Sequence, residues 1–247
     1  MSELHVRAVS RSFGGVRAVE DVSFVLEAGT MTALIGPNGA GKSTLFNLID
    51  GQLLPDAGHV EFEGRNLSRV PTADRTRAGI GRTFQVAQVF ASMTVRQNAQ
   101  MALVAAGGEA LSMAACLDRR VLPEASDLLA SVGLAPHEDR PAAALAYGDL
   151  KRLELALALA ARPRLLLMDE PTAGMAPGER TGLMALVLER ARAHRMTVLF
   201  TEHSMDVVFG FAERVLVMSR GRLIADGAPD AVRADTEVQA VYLGGAA

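Results

Sequence analysis

Short runs of alternating hydrophobic and polar residues dominate the first third of the chain. Residues 4–9 and 59–64 alternate as half-buried strands do, residues 22–26 form another short strand-like run, and glycine turns such as 14–15 punctuate them. A shorter apolar run, 32–35, leads into a glycine-rich loop. This pattern predicts antiparallel strands near the N-terminus, followed by one strand that ends at the loop.

The middle of the chain has a different pattern. Residues 90–147 are rich in alanine, leucine and methionine at helical spacing, and glycines and prolines interrupt them. Such a segment is typical of several short helices. We therefore expect a helical subdomain at 90–147, inserted into a core formed by residues 1–89 and 148–247.

The last third contains a continuous apolar run at 165–169, which ends in an acid, and a second predicted buried strand at 196–201, separated by a helical segment at 178–195. Continuous apolar runs are typical of parallel strands that are buried on both faces. Residues 215–219 and 223–226, joined by Arg220 and Gly221, predict a terminal hairpin. The alternation of strands and helices predicts an α/β fold with a mostly parallel sheet and helices on both faces.

The composition and charge of the chain argue against several classes of protein. The 247 residues are 49% hydrophobic and carry a formal net charge of −3. This balance argues against a disordered chain and against a dedicated nucleic-acid binder, which usually has a basic surface. The single cysteine excludes an internal disulfide. No apolar run approaches the ~18 residues of a membrane-spanning helix, and the N-terminus lacks a signal-peptide pattern. Any connection to a membrane is thus expected to run through a partner.

The glycine-rich loop fits the phosphate-binding pattern G-x-x-x-x-G-K-[ST]. Its glycines let backbone N–H groups approach phosphates, and the helix predicted at 43–49 directs its positive end toward the anion. Lys42 can neutralise phosphate charge, and the Ser43 hydroxyl can bind Mg²⁺. The candidate nucleotide-binding residues are Gly36, Pro37, Asn38, Gly39, Ala40, Gly41, Lys42, Ser43 and Thr44.

Two adjacent acids end the apolar run at 165–169 and narrow the chemistry further. Asp169 at the end of a buried strand can hold Mg²⁺, and the neighbouring Glu170 can activate the attacking water as a general base. A small-molecule kinase needs no such glutamate, and the guanine-recognition motif of GTPases is missing from the sequence. The pattern favours hydrolysis of ATP.

In their order along the chain, these motifs resemble the ATP-binding-cassette (ABC) ATPase family over residues 4–244. The resemblance implies a P-loop NTPase fold with an N-terminal antiparallel β subdomain and an inserted helical subdomain. It implies that Phe13 stacks on adenine, although Phe13 alone also fits a core position. Gln85 resembles the family glutamine that touches the metal or lytic water and couples to a membrane partner, and His203 resembles the switch histidine.

Residues 145–149 occupy the place of the family's L-S-G-G-Q signature. In the family, this signature binds the γ-phosphate of the ATP that a second subunit holds. The signature residues here are Ala146, Tyr147, Gly148 and Asp149. Ala146 replaces the usual serine and Tyr147 the first glycine, so the serine hydroxyl contact is missing. Ala176 stands where the family has an inter-subunit aspartate. We expect weakened hydrolysis, or a stronger half-site in the partner ATPase.

Within the family, the chain resembles the ATPases of branched-chain amino acid importers at residues 13–15, 18–19, 82–85, 152–154, 173–175 and 240–244. Urea and short-amide importer ATPases are similar over the same stretches. The resemblance implies that ATP and Mg²⁺ are the cofactors. It implies that the partners are permease subunits and a second ABC ATPase, which is either identical or different. An external substrate-binding protein is implied as an indirect partner. It places the chain peripherally on the cytoplasmic face of the plasma (inner) membrane.

Two other hypotheses stay open. A soluble ABC-type ATPase acting on ribosomes or nucleic acid usually has two cassettes or long coiled coils, whereas this chain has one P-loop and no sustained heptads. The second hypothesis is a scaffold that holds ATP without hydrolysing it. It stays open because Ala146 and Ala176 depart from the family pattern.

Overall fold

The computed structural model describes residues 3–83, 89–107 and 121–243. Its strands are β1 (Leu4–Phe13), β2 (Val16–Leu26), β3 (Met31–Ile35), β4 (Ala57–Phe62), β5 (Arg65–Asn66), β6 (Ile80–Thr83), β7 (Leu165–Asp169), β8 (Thr197–Thr201), β9 (Arg214–Ser219) and β10 (Arg222–Gly227). Its helices are α1 (Lys42–Asp50), α2 (Thr72–Arg77), α3 (Val95–Ala106), α4 (Val121–Ser131), α5 (Tyr147–Leu159), α6 (Pro177–His194), α7 (Met205–Phe211), α8 (Pro229–Ala234) and α9 (Thr236–Leu243).

The N-terminal sheet is antiparallel, as the alternating pattern predicts. Its strand order is β2-β1-β4-β5, and β1 pairs in antiparallel register with both β2 and β4. The strands β1 and β2 are longer than predicted, because they continue to a tight turn at Gly14 and Gly15. The hairpin turn therefore projects well beyond the part of the strands that carries the hydrophobic alternation.

The second sheet has the order β10-β9-β3-β8-β7-β6. Strands β6, β7, β8, β3 and β9 are parallel, and β10 returns antiparallel to β9 as the predicted terminal hairpin. The predicted α/β class is confirmed. Strand β6 was not predicted, because its sequence Ile-Gly-Arg-Thr has too few apolar residues to stand out.

The two faces of this sheet bury separate hydrophobic clusters. Leu166 and Met168 pack with helical residues on one face, while Leu165 and Leu167 pack toward α1 and the antiparallel sheet on the other. Neighbouring residues of one strand point to opposite faces, so a strand buried on both needs an unbroken apolar run. Packing on both faces therefore determines where the carboxyl ends of these strands lie.

Register brings three loops together at one edge of the sheet. Asp169 at the end of β7 lies opposite Thr201 at the end of β8, and Leu34 in β3 lies opposite Thr201 on the other side. The chain segments that leave β3, β7 and β8 therefore emerge side by side at the carboxyl ends of parallel strands, where ligands commonly bind in such sheets.

Within residues 90–147, the described part contains α3, α4 and two 3₁₀ turns at Ala135–His137 and Ala142–Ala144. Apart from an isolated bridge between Thr94 and Pro141, no strand pairing occurs in that part. The helical character is as predicted, and the domain limits themselves stay a prediction. Among the helices in the described ranges, none combines the length and apolarity needed to cross a membrane.

Candidate functional site

The loop after β3 depends on two glycines that no other residue can replace. Gly36 and Gly41 have φ angles of 152° and 104°. A Cβ atom on Gly36 would lie 2.2 Å from the Met218 carbonyl oxygen, and one on Gly41 would lie 2.2 Å from that of Ala18. The loop is thus pressed against β9 and the end of the β1–β2 hairpin, and its backbone shape follows from those contacts.

Lys42 folds back over this loop at the start of α1. Its ammonium donates to the carbonyl oxygens of Gly36 at 2.7 Å and Pro37 at 3.2 Å. Burial lowers the pKa of Lys42, and the carboxylates of Glu170 and Asp169 oppose that change. Among the residues that the structure describes, no side chain caps the N-terminus of α1, and its first N–H groups are suited to an anion.

A cavity of about 410 Å³ opens beside the loop and is large enough for a nucleotide's phosphates. It is lined by the candidate phosphate-binding residues, one acid and parts of two hairpins: Val16, Arg17, Ala18, Asn38, Gly39, Ala40, Gly41, Lys42, Ser43, Thr44, Glu170 and Arg220. Gly36 and Pro37 contribute through their carbonyl groups to the position of Lys42. The structure thus brings the loop and Glu170 together in one cavity.

Phe13 is not a core residue, because 45% of it is exposed. It pairs across the hairpin with Val16, which does line the cavity, and the guanidinium of Arg11 lies 5.1 Å from the centre of its ring. Phe13 itself does not line the cavity. Its proposed contact with adenine stays a prediction, and the exposed Val16 is a lining residue that sequence reasoning missed.

Thr201 organises the two acids at the end of β7. Its hydroxyl donates to Asp169 Oδ1 at 2.8 Å and accepts from the Glu170 backbone N–H at 3.0 Å. Glu170 adopts a left-handed backbone with φ of 48°, which turns the chain sharply after the strand. Sequence reasoning missed Thr201, since only strand register places it opposite Asp169.

His203 and Glu170 meet as the motif order implies. His203 Nε2 lies 2.8 Å from Glu170 Oε1, and both side chains are accessible to solvent. The loops that carry them are tied by the buried carboxylate of Glu202, which accepts hydrogen bonds from the backbone and hydroxyl of Thr172. Glu202 and Thr172 were not singled out from the sequence, because nothing local distinguishes a buried acid from a solvated one.

Arg82 in β6 contacts both sides of the site. Its Nη1 lies 2.8 Å from Asn47 Oδ1 and 3.1 Å from Asp50 Oδ2, and its Nη2 lies 3.6 Å from Asp169 Oδ2. Asn47 and Asp50 belong to α1. Sequence reasoning treated Arg82 only as part of a motif and did not anticipate these contacts.

The donors near the phosphate loop suit Mg²⁺. Ser43 is exposed at the start of α1, and Asp169 presents a carboxylate that contacts Thr201 and Arg82. Hard oxygen ligands of this kind, few in number and completed by phosphate and water, are what Mg²⁺ prefers. Gln85, the third predicted metal contact, lies outside the described residues.

The signature residues lie at the start of α5, away from the cavity lining. Ala146 is the N-cap, and the Tyr147 hydroxyl donates to the Ala173 carbonyl oxygen at 3.0 Å. A Cβ on Gly148 would lie 3.0 Å from a carboxylate oxygen of Glu179, and Asp149 lies 3.6 Å from His137. The signature segment therefore packs on the chain that follows Glu170, at the beginning of α6.

Two family models match parts of this chain. The model of the family described as "ABC transporter" matches residues 19–173, and a model described as "Branched-chain amino acid ATP-binding cassette transporter" matches residues 222–247. The second match contains β10, α8 and α9. Of these elements, β10 and α9 border a cavity of about 840 Å³ whose lining also includes residues 37–40 of the phosphate loop.

Curated relatives cover nearly the whole chain. The high-affinity branched-chain amino acid transport ATP-binding proteins LivG of Salmonella typhimurium and BraF of Pseudomonas aeruginosa are 38% and 35% identical, each over 98% of this chain and 97% of the relative. A solved ADP conformation of an ATP-binding cassette of an ABC transporter has 33% identity and a TM-score of 0.87, covering 99% of both chains. A nucleotide-free cassette has 32% identity and a TM-score of 0.86, covering 98% of this chain and 99% of the other.

Proposed function

We propose that this chain, which belongs to the ABC transporter family of ATPases, energises the uptake of branched-chain amino acids through a membrane permease. The named relatives LivG and BraF support this substrate class, as does the match of residues 222–247 to a model of branched-chain amino acid transporters. The cavity shared by the phosphate loop and Glu170 carries the assignment of hydrolysis.

The residues of the cavity have separate roles in ATP hydrolysis. The backbone N–H groups at the start of α1 and the Lys42 ammonium bind the phosphates, and the ammonium exchanges its carbonyl partners for phosphate oxygens. Glu170 orients and deprotonates the attacking water, and His203 at 2.8 Å holds the glutamate in place. Mg²⁺, when bound with ATP, supplies charge neutralisation; Ser43 and Asp169 would hold it.

The separation of the signature segment from the cavity supports a two-chain site. Ala146, Tyr147, Gly148 and Asp149 do not line the cavity of their own chain, although the N-terminus of α5 is suited to an anion. The site is then completed by the signature segment of a second ATPase, so that two chains close around two nucleotides. ATP favours this closed state only if it binds it more tightly than the open one.

The chain acts as a peripheral subunit on the cytoplasmic face of the plasma membrane. Closure of the two ATPases moves the permease subunits, and a substrate-binding protein outside delivers the amino acid to them. The similarity to relatives that are named as transport ATP-binding proteins supports this arrangement. We propose no direct role in binding nucleic acid, in line with the net charge of −3.

A pull-down of a tagged Glu170→Gln variant from native membranes, solubilised gently in the presence of ATP, tests this assignment. The variant should hold ATP without turnover and retain the closed assembly. We expect two multi-span permease chains and a second ABC ATPase to co-purify. Glu189→Gln is the matched control, because Glu189 is an exposed acid on α6. This variant should recover the same chains, although it does not trap ATP.

Transport by the recovered assembly identifies the substrate class. Reconstituted with its binding protein, it should accumulate labelled leucine, isoleucine or valine in vesicles containing ATP. Uptake of urea or short amides with no amino acid uptake would replace the proposed substrate. Recovery of ribosomal proteins or DNA without permease chains would support the soluble alternative instead.

A further inference from the structure

Arg82 lies where the phosphate-loop helix α1 meets the strand that ends in Asp169. Its side chain is only 7% exposed. One nitrogen, Nη1, contacts Asn47 and Asp50 on α1, and the other, Nη2, faces Asp169 at the end of β7. A single guanidinium therefore joins three elements, since Arg82 itself belongs to β6.

The charges around Arg82 explain why an arginine is needed there. Asp50 is almost fully buried and Asp169 is mostly buried, so the two carboxylates would repel each other without a cation between them. A planar guanidinium directs donors at fixed angles and reaches oxygens on both sides. A lysine ammonium carries the same charge at one point and cannot bridge them in the same way.

We propose that Arg82 is a positioning residue for the metal-binding carboxylate Asp169. The inference rests on the proposed function, in which Ser43 and Asp169 hold Mg²⁺. Ser43 is in the first turn of α1, and Asn47 and Asp50 are in its last turns. By tying the end of α1 to the end of β7, Arg82 sets the separation between the two protein groups that hold the metal.

The other oxygen of Asp169 is already held from the opposite side. Thr201 donates to Oδ1 at 2.8 Å, while Oδ2 faces Arg82 at 3.6 Å. The carboxylate is thus oriented by a hydroxyl on β8 and a cation on β6. Mg²⁺ requires nearly ideal octahedral geometry, so a small change in the orientation of this carboxylate weakens binding.

Positioning and simple charge make opposite predictions for loss of the arginine. If Arg82 acted only through its positive charge, its removal would leave Asp169 more attractive to a cation, and metal binding would tighten. If Arg82 sets the geometry, metal binding weakens although the site has become more negative. The proposal predicts the second result.

Binding of Mn²⁺ in the presence of ATPγS, measured from the free Mn²⁺ signal in electron paramagnetic resonance, tests the proposal without turnover. Arg82→Lys and Arg82→Gln should each raise the Mn²⁺ dissociation constant about tenfold, the effect typical of losing a residue that orients a metal ligand. Binding of ATPγS in EDTA should stay within about twofold of the parent, because the phosphate loop is unchanged.

Two further variants keep the test informative. Asn47→Ala preserves the charges of Arg82, Asp50 and Asp169 and removes one oxygen that accepts from the guanidinium. It should therefore raise the Mn²⁺ dissociation constant by a smaller factor, and it keeps the test available if the Arg82 variants fail to fold. Arg75→Lys is the matched control, because Arg75 of α2 is buried against the end of α1 and donates to the carbonyl oxygens of Leu48 and Ile49. It should lower thermal stability and leave Mn²⁺ binding unchanged.

Tighter Mn²⁺ binding by Arg82→Gln would overturn the proposal in favour of a charge effect. Unchanged binding by both Arg82 variants would overturn it outright, as would unchanged binding by Asn47→Ala where the Arg82 variants do not fold. A parent protein that bound ATPγS but no Mn²⁺ would instead contradict the proposed metal site, which separates the failure of the two ideas.

Discussion

The loops that surround the phosphate cavity and the signature segment at residues 146–149 differ in how they are held. The cavity loops leave buried parallel strands and are fixed by hydrogen bonds to buried groups such as Thr201 and Glu202. The signature segment begins α5, and Tyr147 within it is 46% exposed.

This difference indicates two kinds of site in one chain. The cavity loops are organised by contacts that the chain supplies itself, so their geometry exists before a partner binds. The signature segment presents a helix N-terminus and an exposed tyrosine, and its contacts run back to the chain after Glu170. In the proposed two-chain site, its function depends on a surface that another chain provides. Changes in the two regions should therefore have effects of different size and kind.

The largest effect is expected from Glu170→Gln, which removes the base while keeping the shape of the side chain. Hydrolysis by the assembled transporter should fall by about 10²–10⁴-fold, the usual contribution of general base catalysis. ATP binding should persist, because the phosphate loop is intact. Steady-state phosphate release measures the effect, and a rate close to that of the parent would remove Glu170 from its proposed role.

Thr201→Val should have the next largest effect, because Asp169 loses its donor and the Glu170 N–H loses its acceptor. An unsatisfied buried group costs about 1–3 kcal/mol, which corresponds to a loss in rate of roughly 5- to 150-fold if the cost falls on the transition state. Thermal unfolding and phosphate release, measured together, separate stability from catalysis.

Thr197→Val is the matched control for Thr201, since Thr197 is also buried on β8 but bonds to Gly29 at the opposite end of the strand. It should lower stability without a comparable loss in rate. Equal losses of rate in both variants would mean that Thr201 acts only through the fold.

Tyr147→Phe tests the signature segment and should have a smaller effect. The change removes one exposed hydrogen bond to Ala173, worth about 0.5–1.5 kcal/mol. Hydrolysis by the assembled transporter should fall by roughly 2- to 10-fold. Nucleotide binding by the isolated chain, measured by fluorescence titration, should hardly change. Weaker binding there would place the signature in the chain's own cavity.

Ala146→Ser should have the smallest effect on rate. A serine at this N-cap can accept from the first turn of α5, which stabilises the protein by about 1 kcal/mol and raises Tm by roughly 2–4 °C. If the hydroxyl also reaches the partner's nucleotide, hydrolysis rises. Ala228→Ser, at the N-cap of α8, is the control that should change Tm alone. Equal rates in the two variants would show that the missing hydroxyl has no catalytic consequence.

The sequence was sufficient for features that depend on local pattern. The glycines at 36 and 41, the apolar run that ends at Asp169 and the alternating N-terminal strands each have one physical interpretation. It was insufficient where distant segments must meet. Thr201 acquires its role only when β7 and β8 align.

Arg82 illustrates the same limit. Its strand is short and mixed in polarity, and its partners come from α1 and β7, which are far away in the chain. A buried arginine and an exposed one have the same sequence pattern, because burial depends on tertiary packing. The roles of Gln85 and Phe13 remain predictions, for Gln85 because it lies outside the described residues.

Hydrogen exchange of the Glu170→Gln variant with ATP, in the isolated chain at low concentration and in the assembled transporter, tests most directly whether one chain supplies only half of each site. We expect residues 36–44 to gain protection in both samples, and residues 146–149 to gain it only in the assembly. Protection of the signature segment in the isolated chain, or none in the ATP-bound assembly, would contradict the two-chain site.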